Sequence, residues 1–163
     1  MKKSLSEKEI VNHIIKNWDK FFEKDNIKFQ KTEWQALENY RADIMAYIDL
    51  DLKDIGWREE SEMYRTLVIL ECKYQSESRD LIYELEKAKY IQWYLDERSN
   101  YPHPVFIGVI SDDFSDKAIY DYLIENNIHM WKINIKDDNI ETMTLRYIDP
   151  SIDTSEDIIE RLG

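Results

Sequence analysis

Two carboxylates and a lysine stand in places where charged side chains are unusual. Glu71-Cys72-Lys73 closes the aliphatic run Leu67-Val68-Ile69-Leu70, and Asp43 lies between apolar residues in Arg41-Ala42-Asp43-Ile44-Met45. Charged groups are seldom buried unless they are paired or bind a metal. Side chains alternate along a strand, so Glu71 and Lys73 share one face and Cys72 points to the other. Pairing of the two runs brings Asp43 and Glu71 together across a sheet. Adjacent carboxylates repel unless a cation sits between them. Mg2+ or Mn2+ is satisfied by a few carboxylates, a backbone carbonyl such as that of Cys72, and waters. Such an ion polarises a phosphoryl oxygen and activates a water. Lys73, two residues on, then stabilises the developing negative charge. The structural alternative is a surface strand end closed by a Glu71–Lys73 ion pair.

The elements that must position these groups follow from periodicity. Ile10, Ile14, Ile15, Trp18, Phe21 and Phe22 recur at helical spacing and predict an amphipathic helix over 6–23. Residues 27–35, 41–50 and 65–74 read as strands, the last almost wholly aliphatic. A helix is expected over 79–98, with Leu81, Leu85, Ala88, Gln92 and Leu95 inward. A buried strand over 104–111 and a helix over 115–127 capped at Ser115 come next. Strands over 128–135 and 141–148 close the order α-β-β-β-α-β-α-β-β. That order predicts an α/β (α+β type) fold, a central mixed sheet flanked by helices.

The segments Arg41-Ala42-Asp43 and Ile69-Leu70-Glu71-Cys72-Lys73 together resemble the Asp…Glu-x-Lys signature of the PD-(D/E)xK nuclease superfamily. The resemblance implies a restriction-endonuclease-like core over about residues 6–136, in which Asp43 and Glu71 bind metal and Lys73 assists catalysis. Ser6-Glu7-Lys8-Glu9-Ile10 resembles the opening of the first helix in NucS-like endonucleases and Holliday-junction resolvases. The resemblance makes Glu7 a further ligand, with Glu9 as the alternative. These families also place a polar residue of the following helix at the site, and either Glu84 or Gln92 corresponds to it. The strand-helix-strand PVFIGVISDDFSDKAIYDYL…NNIHMWKINI resembles the part that completes NucS-like domains.

Composition bounds the function. The 163 residues make one domain of ordinary size, with residues 137–163 as an acidic extension. One cysteine excludes a disulfide framework, and three glycines exclude a glycine-rich phosphate loop. No apolar run is long enough for a transmembrane helix and no secretory leader is evident, so a cytoplasmic protein is expected. The net charge is −12, yet residues 1–41 carry nine Lys/Arg against seven Asp/Glu. Phosphate contacts therefore fall to the N-terminal side, on Arg41, Lys8, Lys16 and Lys20, and the resemblance implies Gln92 as a further nucleic-acid contact. The leading reading is a Mg2+- or Mn2+-dependent nuclease that hydrolyses DNA, with a homodimer expected. The alternative is a catalytically silent interaction protein on the same fold, binding a nucleic-acid-processing partner through its acidic surface.

Overall fold

The computed structural model describes residues 7–16, 24–53, 58–73, 78–136 and 139–146. Helix α1 spans Glu7–Lys16, and a short 3-10 turn at Lys24–Asn26 leads into β1, Ile27–Leu37. Strands β2 (Tyr40–Asp51) and β3 (Met63–Lys73) follow. Helix α2 covers Ser78–Trp93 and continues as one π-helical turn, Tyr94–Arg98. Then come β4 (Val105–Ser111), α3 (Lys117–Glu125), β5 (His129–Lys136) and β6 (Asn139–Arg146). The position of Lys20 and the acidic segment from 147 onward lie outside the described residues.

The six strands form one mixed sheet in chain order, β1-β2-β3-β4-β5-β6. The β1–β2, β2–β3 and β5–β6 pairs are antiparallel; β3–β4 and β4–β5 are parallel. Parallel neighbours need crossover connections, and α2 and α3 supply them. Both crossovers advance in the same direction along the sheet. The common handedness of such connections then puts both helices on one face. That face packs Leu81, Leu85 and Ala88 of α2 and Ile119 and Leu123 of α3 against Leu67, Ile69, Ile107 and Val109. The other face belongs to α1: Ile10, Val11 and Ile14 cover Ile44, Val68, Leu70, Cys72 and Ile110.

Burial follows sequence character strand by strand. Every residue of β4 is buried, as its near-continuous apolar run requires of a central strand. Gly108 sits there because a Cβ would come within 2.9 Å of Leu70 Cδ2 and 3.2 Å of Phe106 Cε1. Strand β1, at the edge, is exposed from Lys28 to Glu33. The hairpin connecting β2 and β3 absorbs part of the acidic run. Asp51 accepts from the backbone N–H groups of Lys53 and Glu62 and from the Ser61 hydroxyl, while Asp49 pairs with Arg65 at 3.0 Å.

One expected detail differs. The N-cap of α3 is Asp116, whose carboxylate accepts from the backbone N–H groups of Ala118 and Ile119. Ser115 instead donates its own N–H to Asp113. Either residue type can cap, but the aspartate's position one residue nearer the helix lets one oxygen reach two orphan donors.

Candidate functional site: a carboxylate pair at the end of β3

The β2–β3 ladder runs from Asp51↔Met63 up to Ile44↔Leu70, a register that carries Asp43 to the level of Glu71. Beyond that rung the backbone pairing gives way to a side chain. Asp43 Oδ2 accepts the Cys72 N–H at 2.8 Å, in place of a ladder carbonyl. The facing of β2 slips at the same point. Tyr40 and Ala42 join the core under α2, as do Met45 and the half-buried Tyr47, whereas Ile44, Ala46 and Ile48 join the core under α1. A one-residue slip moves every following side chain to the other face, which leaves Asp43 at the turning point between the two layers. Opposite it on β1, between the pairs Thr32↔Ile44 and Trp34↔Ala42, Glu33 has φ 51°, a left-handed conformation that costs a non-glycine residue free energy. Such outliers cluster at functional sites.

Glu71 ends the aliphatic part of β3 and is only 2% exposed. Its carboxyl lies within hydrogen-bonding reach of Asp43, and Tyr40 donates its hydroxyl to Glu71 Oε1 at 2.5 Å. Burial, and then the Asp43 charge, push the Glu71 carboxyl well above its ordinary range. The Tyr40 hydrogen bond and the nearby Lys73 charge oppose that shift without cancelling it. Burial, reinforced by the charges of Glu71, Asp43 and Glu84, holds the Tyr40 phenol protonated. One acid, Glu71, thus accepts from the buried hydroxyl, and two more act on it through their charge.

Asp43 opens onto a cleft of about 300 Å³ lined also by Lys8, Val11, Asn12, Thr32 and Glu33. A second cleft of similar volume has walls that include Trp34, Tyr47, Tyr90, Tyr94 and Tyr101. It contains no carboxylate or amine, so the Asp43 cleft is the one equipped for acid–base or metal chemistry. The acidic pair also lies at the carboxyl end of the parallel β3 and β4, where open α/β sheets place their ligands.

The remaining candidate residues divide by place. Lys8 lines the Asp43 cleft, and Glu84 acts electrostatically on Tyr40. Lys73, half-buried, shares the Glu71 face and its charge is felt there. The Cys72 side chain is buried under α1, and its backbone is fixed to Asp43. Glu7 begins α1, but its side chain lies outside the described part, so Glu7 and Glu9 remain alternatives. Arg41 is engaged by Gln35 at 3.1 and 3.2 Å, and Lys16 is exposed at the far end of α1.

Gln92 is not brought to the pair. Its amide donates to the Val105 carbonyl at 2.8 Å and accepts from Lys89 Nζ at 2.6 Å. Val105 is paired with Leu67, four residues below Glu71, which is roughly 13 Å along the strand. Of the two α2 residues offered by the sequence, Glu84 is the one near the site. Tyr40 was missed by the sequence reading. A tyrosine buried at a strand start needs a partner for its hydroxyl, and that need was its only signal.

A hard divalent cation suits this donor set. Mg2+ typically takes one or two carboxylates and fills its remaining positions with water. Asp43, Glu71 and the Cys72 carbonyl provide that many oxygens, and a bound cation would offset the Asp43 repulsion that adds to burial in raising the Glu71 carboxyl. Among the described residues no group of three or more His, Cys, Asp or Glu side chains is arranged to hold a metal ion. None of the described helices is long and apolar enough to cross a membrane. No family model, curated protein or solved structure matches the chain.

Proposed function

We propose that this protein is a divalent-metal-dependent nuclease of the PD-(D/E)xK type, hydrolysing DNA phosphodiester bonds on a restriction-endonuclease-like core. One observation carries the reading: Asp43 and Glu71 are held together at the carboxyl end of β3, with Lys73 on the Glu71 face. Ionising the buried Glu71 beside the half-buried Asp43 is unfavourable, and a cation-binding role gives the arrangement a reason. Mg2+ or Mn2+, when bound, would supply Lewis acidity toward the phosphate and lower the pKa of a water.

The chain's own residues do the rest. The Cys72 N–H orients the Asp43 carboxylate, and Tyr40 orients Glu71. Lys73 stabilises charge on the phosphoryl oxygens as the bond to the leaving oxygen breaks. Lys8, on the wall of the cleft that Asp43 opens onto, offers a cation to an adjacent phosphate. Incubation of the purified protein with single-stranded, duplex and branched DNA in Mn2+, beside Lys73→Ala, tests the reading. Cleavage by the parent and its loss in the variant are expected. No cleavage of any substrate, or parental rates from Lys73→Ala, overturns it.

The net charge of −12 favours a second reading, a catalytically silent protein that binds a nucleic-acid-processing partner through its acidic surface. That reading predicts no response to Mn2+ and no effect of Lys73→Ala.

A further inference from the structure

The strongest observation left over is Tyr40. Its side chain is 1% exposed, and its hydroxyl contacts Glu71 across 31 residues of sequence. It starts β2, is followed by the one-residue slip at Asp43, and packs into the core beneath α2. A phenylalanine would fill the same apolar space. The hydroxyl is therefore placed for the carboxylate, not for packing.

Resting on the nuclease reading, the geometry points to Tyr40 as the positioning residue of the metal site, its hydroxyl clamping Glu71 Oε1 so that the rest of the carboxylate faces Asp43 and the cation. The physical argument is preorganisation. An unrestrained glutamate side chain samples several rotamers, and binding a cation must freeze them. Here the cost is met on folding, because the ring is locked by the core and the hydroxyl has one acceptor. Tyr40 also donates to Glu71 without bringing a charge, so it holds the carboxylate without competing with a cation for it, as a lysine or arginine would. Hydrogen-bond partners of metal ligands commonly change metal affinity by about 10–100-fold when removed. Tyr40 touches neither substrate nor cation in this arrangement and acts only through Glu71.

The test uses calorimetric Mn2+ titration of the intact chain. Tyr40→Phe keeps the ring and should weaken Mn2+ binding by about tenfold or more, and cleavage should recover as Mn2+ is raised to saturation. In a Glu71→Gln background the same substitution should weaken binding no further, since the side chain that Tyr40 holds no longer carries the charge that binds the cation. Equal Mn2+ affinity of parent and Tyr40→Phe overturns the inference and leaves the nuclease reading standing. A parent that binds no Mn2+ overturns both. Should Tyr40→Phe fail to fold, the parent itself carries the readout. The buried Tyr40 hydroxyl proton should appear as a downfield proton resonance that moves when diamagnetic Mg2+ is added. A resonance that stays fixed while Mg2+ binds overturns the clamp.

Discussion

Replacing Glu71 by glutamine in metal-free protein should stabilise the fold, by an amount that grows with pH. The perturbation is nearly isosteric: Gln Oε1 can still accept the Tyr40 hydroxyl, and the charge is gone. In the native state burial and Asp43 raise the Glu71 carboxyl well above its ordinary value of 4.5, so the folded protein holds a proton that the unfolded chain releases. A raised folded pKa contributes stability that is complete below 4.5 and is lost as pH rises toward the folded value. Over that window the parent loses about 1.4 kcal/mol per pH unit relative to Glu71→Gln. For a chain of this size that corresponds to roughly 3–6 °C in Tm per unit. Urea unfolding of both proteins in chelator, from pH 4.5 to 8, reads the difference directly and cancels titration elsewhere in the acidic chain. A difference that does not change with pH means Glu71 titrates as an ordinary carboxylate. A variant that becomes the less stable partner as pH rises means Glu71 is a stabilising anion, as a Glu71–Lys73 ion pair requires.

Other perturbations read the fold around the site. His129, stacked on Phe106 at 4.2 Å, has its pKa pushed down by burial to about 3, so it stays neutral when folded and charges on unfolding. Stability should therefore fall by about 1.4 kcal/mol per unit as pH drops from about 6.5 toward 3, and His129→Gln should flatten that limb in pH-dependent denaturation. Gly108→Ala should cost about 1–3 kcal/mol by urea midpoint, because its methyl meets Leu70 and Phe106 in a close-packed strand. Asp116→Ala should cost about 1 kcal/mol of stability and Ser115→Ala less, since Asp116 alone bonds two N–H groups of α3; equal losses would put the cap elsewhere.

The sheet was legible because its central strands contain near-continuous apolar runs and because burial along β2 alternates from Ala46 onward. What the alternation hid is the slip at Asp43. Apart from Asp43, residues 42–48 are all apolar, so the run shows no phase by which a single-residue change of facing could be seen, and the sequence contains no glycine there to mark it. The pairing of Asp43 with Glu71 was legible because both are acids in apolar surroundings, and the hairpin register did the rest. Gln92 misled for a geometric reason. Its helical period does put it on the inward side of α2, but a crossover helix runs back along the strands. Eight residues after Glu84, Gln92 lies about 12 Å further from the carboxyl end of β3. Tyr40 left no periodic signal at all, and only the backbone fold brings its hydroxyl to a partner 31 residues away.

The claim that Asp43 and Glu71 are a divalent-cation site is tested most directly by calorimetric melting of the parent and Asp43→Asn, first in chelator and then in Mn2+. Asparagine keeps an oxygen for the Cys72 N–H, so the variant should fold while losing the charge that binds metal. A ligand at a hundredfold excess over its Kd stabilises the native state by about 2.7 kcal/mol. The parent Tm should rise by roughly 5–11 °C in Mn2+, and Asp43→Asn should scarcely move. A parent that ignores Mn2+, or an Asp43→Asn variant that gains as much as the parent, contradicts the account.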